Sequence, residues 1–137
     1  TTERSMTQKS LEDLTVDEEK LNEEILYDSL NEYVQIGEQS GRLFPNEEFR
    51  DLSSDKSVLV VLLSQKARDE LGMVETDWMS PSEINEDSGI KTGTVGPKVR
   101  ELEEEGVIES DEEGNYRVPT PHLEIAREYI EEGEVDE

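Results

Sequence analysis

Apolar positions return along this chain at intervals that predict a succession of helices followed by a short hairpin. From Asp17, the residues Leu21, Ile25, Leu26, Leu30, Tyr33 and Val34 recur at three- and four-residue steps. That spacing makes one stripe of an amphipathic helix over 17–36, ended by Gly37 and Gly41. Ahead of it, residues 1–17 hold only Met6, Leu11, Leu14 and Val16 as apolar positions and read as a loosely held polar arm. Residues 41–53 form a connector around Pro45, whose Leu43, Phe44, Phe49 and Leu52 are expected to tuck onto the main body. Ser54 or Asp55 then caps a helix that runs to Leu71 and stops at Gly72. Its first half, Val58–Leu63, is apolar on every side. Three valines there also suit a strand, but Ala67 and Leu71 continue at helical spacing and Lys66–Glu70 is poor strand material. A helix that is apolar all round must be covered on all sides. The 17–36 stripe is the natural cover, from the same chain or from a partner.

Ser80-Pro81-Ser82-Glu83 opens the next element with a cap residue, a proline at the first helical position and a glutamate three residues after the cap. This short helix ends by Ser88-Gly89. Val95, Val99 and Leu102 mark the inward face of a third helix, with Ile84, Ile90 and Ile108 completing the same core, and Gly106 ends it. Pro97 lacks an N–H and is disfavoured inside a helix. The regular helix is therefore expected to start late, near Thr94, leaving Lys91–Gly96 as a Gly-rich loop whose amides face a phosphate. Val107-Ile108 begins a strand, Glu109–Asn115 turns, and Tyr116-Arg117-Val118 returns. Beyond Pro119 and Pro121, residues Leu123, Ala126, Tyr129 and Ile130 make a last amphipathic helix, and the residues after it are expected to fray.

The order helix, helix, glycine turn, helix, strand, wing, strand, helix is that of a winged helix-turn-helix. From Ser80 to Val118 the residues Pro81-Ser82-Glu83-Ile84, Gly89-Ile90, Thr94-Val95 and Glu105-Gly106-Val107-Ile108 resemble winged-helix regulators of archaea and bacteria. The expected fold is mainly α with a small β-wing, a winged helix-turn-helix preceded by an N-terminal helical extension. The organisation read from this pattern is an arm over 1–17, the N-terminal helix and connector over 18–53, the winged unit over 54–132 and an acidic tail over 133–137. In DNA-binding relatives the third helix enters the major groove. The resemblance therefore implies a DNA-binding regulator of transcription, with no cofactor and no catalytic activity. Winged helices also dock proteins, so fold alone does not choose between the two.

Charge narrows the choice. The chain of 137 residues has 37 acidic against 13 basic side chains, a formal net charge of -24, with 31% hydrophobic residues and no cysteine. Low hydrophobicity with high charge fits disorder, but the acids are interleaved with regular apolar periodicity instead of being gathered in a tail. The composition resembles proteins of haloarchaea, for which molar salt shortens the Debye length to about 3 Å and screens self-repulsion. With no apolar run long enough to span a membrane and no leader-like start, a cytoplasmic location is expected. Against this acidic background, Ser88–Arg100 carries three basic residues and no acid. Lys91, Thr92, Thr94, Lys98 and Arg100 are thus the expected contacts to double-stranded DNA, with Arg117 on the returning strand as a further contact to its backbone. Glu109–Glu113 in the wing and Glu101 and Glu103–Glu105 at the end of the third helix count against DNA and for a protein partner. A homodimer built on the N-terminal helices is expected from the apolar surplus at Val58–Leu63.

Other signals are weaker. Lys91–Lys98 lacks the glycine spacing of a phosphate loop and the hydroxyl residue that should follow its lysine. Glu109–Gly114 echoes a calcium loop, but its twelfth position is Thr120. His122 stands alone and starts the last helix, and Trp78 packs at the entrance of the short one.

Overall fold

The computed structural model describes residues 10–132. It is mainly helical, with two small antiparallel sheets. The elements in order are α1 (Glu18–Leu30), β1 (Val34–Ile36), β2 (Leu43–Pro45), α2 (Glu47–Arg50), α3 (Ser54–Glu70), α4 (Pro81–Ser88), α5 (Thr92–Glu104), β3 (Glu109–Ser110), β4 (Tyr116–Arg117) and α6 (Leu123–Glu131). The frayed tail expected over 133–137 and most of the arm lie outside the described residues. The arm's last part is a 3-10 turn, Leu11–Leu14. Among the described residues no helix is long and apolar enough to cross a membrane.

The first helix is shorter than its periodicity predicts. α1 ends at Leu30, and Val34–Ile36 pairs as β1 with β2 in the register Val34↔Pro45, Gln35↔Phe44 and Ile36↔Leu43. Gly37 closes this hairpin: its amide donates to Arg42 O at 2.8 Å, and a Cβ there would lie 2.7 Å from Ser40 Oγ. Spacings of three and four between Leu30, Tyr33 and Val34 fit either a helix or a turn leading into a strand. Pairing with Leu43–Pro45 decides for the strand. The buried members of the stripe are Ile25, Leu26, Leu30, Tyr33 and Val34, while Leu21 is exposed. Of the connector, Phe49 is buried and Leu43 and Leu52 are half-buried, whereas Phe44 stays exposed beneath the Arg42 guanidinium, 4.9 Å from the ring centroid.

The axle of the molecule is α3. Val58–Leu63 have no exposure at all, and α1, α4, α5, α6 and β4 all pack against this helix. Its cover therefore comes entirely from the same chain, and the apolar surplus that argued for a dimer is satisfied within one copy. Ile84, Val95, Val99, Leu102, Val107, Ile108, Val118, Leu123, Ala126 and Ile130 join the same core as the residues of α1 and α2. α6 is pinned back to the start of α3 by the Tyr129 hydroxyl, which donates to Asp55 Oδ2 at 2.6 Å.

Candidate functional site

The region from Trp78 to Val118 is assembled from local signals that the chain obeys closely. Ser80 caps α4 in a reciprocal box: Glu83 N donates to Ser80 Oγ at 3.2 Å and Ser80 N to Glu83 Oε1 at 2.9 Å. Gly89, in the left-handed region at φ 79°, ends α4. The three residues Gly89–Lys91 then lead directly into α5. That turn is tied by the Ile90 amide donating to Ser88 Oγ at 3.0 Å and by the Asn85 amide group donating to Ile90 O. α5 lies against α3 and α4 through Val95, Val99 and Leu102, all fully buried. At its end Gly106 is again left-handed, at φ 79°, and the Val107 amide returns to Leu102 O at 3.0 Å. β3 and β4 follow with Glu109↔Arg117 and Ser110↔Tyr116 opposed. Met79, just before α4, exchanges both backbone hydrogen bonds with Tyr116, at 2.9 and 2.8 Å, and so lies along the outer edge of β4.

The start of α5 differs from the expected loop. Thr94 N and Val95 N both donate to Lys91 O, at 2.9 and 3.0 Å, so helix begins at Thr92 and Lys91 is its N-cap. Pro97 therefore falls inside the helix, in its second turn, and Lys91–Gly96 is not an open phosphate-binding loop. The two bonds accepted by Lys91 O set this start, two residues before Thr94, and Val95, Val99 and Leu102 are buried along the same helix. The first turn carries no acidic residue and no side-chain cap.

Five expected contact residues are gathered on this element. Lys91, Thr92 and Arg100 are exposed, and Thr94 and Lys98 are half-buried. Lys98 stands 3.5 Å from Glu101, a loose pair one turn along. Between them the surface is backbone: nothing lies within 4 Å of where a Cβ at Gly93 would be, and the nearest atom to one at Gly96 is the Arg100 guanidinium, at 3.8 Å. Gly93, Gly96 and Arg100, spaced three and four apart, share one face of the helix. Nothing inside the chain requires either glycine to be small. The sequence pattern marked Lys91–Gly96 as Gly-rich but placed it in a loop, whereas both glycines lie on the helix.

Arg117 does not join the others. Its Nε donates to Glu109 at 2.7 Å, its Nη1 reaches Asp77 at 3.2 Å, and its guanidinium stacks on Trp78, 4.2 Å from the ring centroid. Expected as a contact to the DNA backbone, Arg117 makes an internal tie here that holds the strands to the segment before α4. Glu109 holds it across the hairpin, and Asp77, a buried carboxylate with two cationic partners, Arg117 and Lys66, holds its other end. Burial alone would raise the Asp77 carboxyl. The hydrogen bond and charge of Lys66, then those of Arg117, outweigh it and hold the group below its usual range. For Arg117 the hydrogen bond to Glu109 is the largest influence and raises its pKa further.

The β3–β4 turn is closed on itself. Asp111 Oδ1 accepts from the amides of Glu113 and Asn115 at 2.9 and 2.8 Å, and Gly114 takes φ 86°. The backbone hydrogen bond from Asn115 leads the causes that lower the Asp111 carboxyl. The carboxylate is engaged by the amides of its own turn. His122 sits at the N-cap of α6 with Nδ1 3.3 Å from Val107 O. Among the described residues no cluster of three or more His, Asp or Glu side chains is arranged to hold a metal ion. No family model matches the chain, and neither a curated protein nor a solved structure is significantly similar to it.

Proposed function

We propose that residues 54–132 act as a winged helix-turn-helix unit that binds double-stranded DNA through the N-terminal half of α5, and that the protein regulates transcription. The carrying observation is the surface of α5 itself. In a chain of net charge -24, Ser88–Arg100 offers Lys91, Lys98 and Arg100 with no acid among them. They flank a strip of helix backbone bared by Gly93 and Gly96. Cations beside exposed backbone suit a polyanion that must come close, and helix N-terminal amides favour phosphate. The order of α3, α4, the three-residue turn, α5 and the β3–β4 hairpin supports the same reading.

Three cations neutralise few phosphates. Counterion release then gives a log–log salt slope no steeper than about -3. A steep slope would abolish binding in the molar salt that the composition suits. The test is a gel-shift titration on genomic fragments from low to molar KCl, with wild type and Lys98→Glu. Lys98→Glu is expected to weaken binding to all fragments alike, whereas Arg100→Ala or Thr92→Ala changes sequence preference if either reads a base. No shift at any salt concentration overturns the reading.

A second reading, a protein-docking module of the replication, segregation or transcription machinery, draws on the acidic wing and on Arg117. Glu109, Asp111, Glu112 and Glu113 would face the DNA backbone, and the Arg117 guanidinium beside them is held by Glu109 and Asp77. Under this reading Lys98→Glu abolishes capture of a protein partner while no duplex binds.

A further inference from the structure

The β1–β2 hairpin has two outer edges, and only one of them is guarded. Along an antiparallel pair, bonded and non-bonded residue pairs alternate. Asn46 N donates to Tyr33 O at 2.9 Å and Gly37 N to Arg42 O at 2.8 Å. With Gln35 opposite Phe44 between them, these fix the bonded pairs, so Val34 and Ile36 turn their amides and carbonyls away from β2. Leu43 and Pro45 turn outward in the same way on the far side of β2. There Pro45 has no N–H to offer and blunts the edge. β1 carries no such guard, and among the described residues no third strand pairs with it.

The open edge borders a groove of about 510 Å³. Val34, Gln35 and Ile36 all line it, and among the described residues none from β2 does. Side chains alternate between the two faces of a strand, so a groove lined by three consecutive residues runs along the strand's edge. The C-terminal half of α1 and the end of α3 form its other walls. Leu26, Leu30 and Val34 make a floor that is already buried, while Tyr27 and Leu71 stand at the rim, 65% and 61% exposed. The charged residues lining it are Glu23 and Glu70. Both also line an adjoining depression with Asp17, Glu19 and Lys20, so the carboxylates gather at one end. The other polar residues of the groove, Asn31 and Gln35, are uncharged.

We propose that this edge receives an extended segment of another protein, which adds as a third strand beside Val34 and Ile36. Unpaired backbone groups next to an apolar groove suit that mode of binding. The backbone hydrogen bonds supply affinity, and alternate side chains enter the groove and supply specificity. The segment is therefore apolar at every second position, where it meets Ile36, Tyr27 and Leu71, and carries Lys or Arg where it meets Glu23 and Glu70. Charge argues against a second copy as the occupant, since its β1 edge is flanked by the same two carboxylates in a chain of net charge -24. This inference does not rest on the duplex-binding reading, because neither the edge nor the groove includes α5.

Fluorescence anisotropy with the whole chain tests it. The probes are labelled short peptides that alternate Val, Ile or Leu with Thr and carry Lys at both ends. Saturable binding is expected in moderate KCl. Exchanging the terminal Lys for Glu weakens it at least tenfold, and that gap narrows in molar KCl as screening increases. N-methylation of alternate peptide amides is silent in one register and costs at least tenfold in the other. Ile36→Pro removes an outward N–H and no bond to β2, and is expected to weaken binding at least tenfold. Leu71→Ser changes an exposed side chain, so it leaves the thermal melt intact while weakening binding several-fold. Absence of binding by every peptide of the set, binding indifferent to N-methylation in both registers, or binding that Leu71→Ser leaves as tight as before overturns the proposal. A wild-type dimer in sedimentation that Ile36→Pro dissolves assigns the edge to a second copy and overturns it too.

Discussion

Lys66 Nζ lies 2.7 Å from Asp77 Oδ2, and both side chains are about nine-tenths buried. A lysine buried in this helix, three residues past its wholly apolar stretch Val58–Leu63, is expensive unless it is paired. Asp77 pairs with it across the join between α3 and the segment that starts α4. The same carboxylate then reaches Arg117, so one buried acid ties the axle helix to β4. Lys66 also donates to Thr120 Oγ1 at 3.2 Å, drawing in the turn before α6.

Removing this carboxylate should be severe. Asp77→Asn leaves Lys66 buried without its counter-charge and is expected to cost about 3 kcal/mol in denaturant unfolding. The folded-state pKa of Asp77 lies below its ordinary value of 3.8. A depressed carboxylate contributes stability that is present above 3.8 and is lost as pH falls through the folded value. The gap between wild type and Asp77→Asn should therefore narrow as pH is lowered below that point in molar KCl. A gap that widens there contradicts the pairing.

Gly93 and Gly96 set stability against binding. Neither has a positive φ, and neither is crowded by its own chain. Replacing each with alanine should stabilise the protein by about 0.5–1 kcal/mol through helix propensity. If the bare strip is where DNA approaches, the same substitutions weaken duplex binding while raising the melting temperature. Unchanged gel shifts with the stabler variants would remove the strip from the site.

The cap of α4 has a defined worth. Ser80→Ala breaks the hydrogen bond to Glu83 N and frees the other half of the box, so a loss of about 1 kcal/mol is expected by urea unfolding. The effect should fall on stability alone, because Ser80 lies at the far end of α4 from the turn that positions α5.

Net charge should govern the response to salt. At -24 the like charges repel in dilute buffer, and screening relieves that repulsion. The thermal midpoint is expected to climb between low and molar KCl. A midpoint that stays level or drops would separate this chain from proteins adapted to high salt.

By itself the sequence determined those elements whose signals are local. Ser80, Pro81 and Glu83 start α4, Gly89 and Gly106 take the left-handed turns that end helices, and Val95, Val99 and Leu102 share one face whatever lies beneath them. The basic stretch from Lys91 to Arg100 was legible for the same reason, since charge against an acidic background needs no neighbours to be read. Tertiary structure decided whatever depends on residues distant in the chain. Val34–Ile36 became a strand because Leu43–Pro45 offered it backbone partners, and no periodicity within 17–36 carries that information. Pro97 falls in the second turn of α5 because the carbonyl of Lys91 accepts from Thr94 and Val95 and so starts the helix at Thr92, a choice made by backbone bonds and not by the propensity of one residue. Arg117 looked like a surface cation until Asp77, forty residues earlier, claimed it. The cover of Val58–Leu63 was open between one chain and two, since an apolar helix specifies that it must be covered but not by which copy.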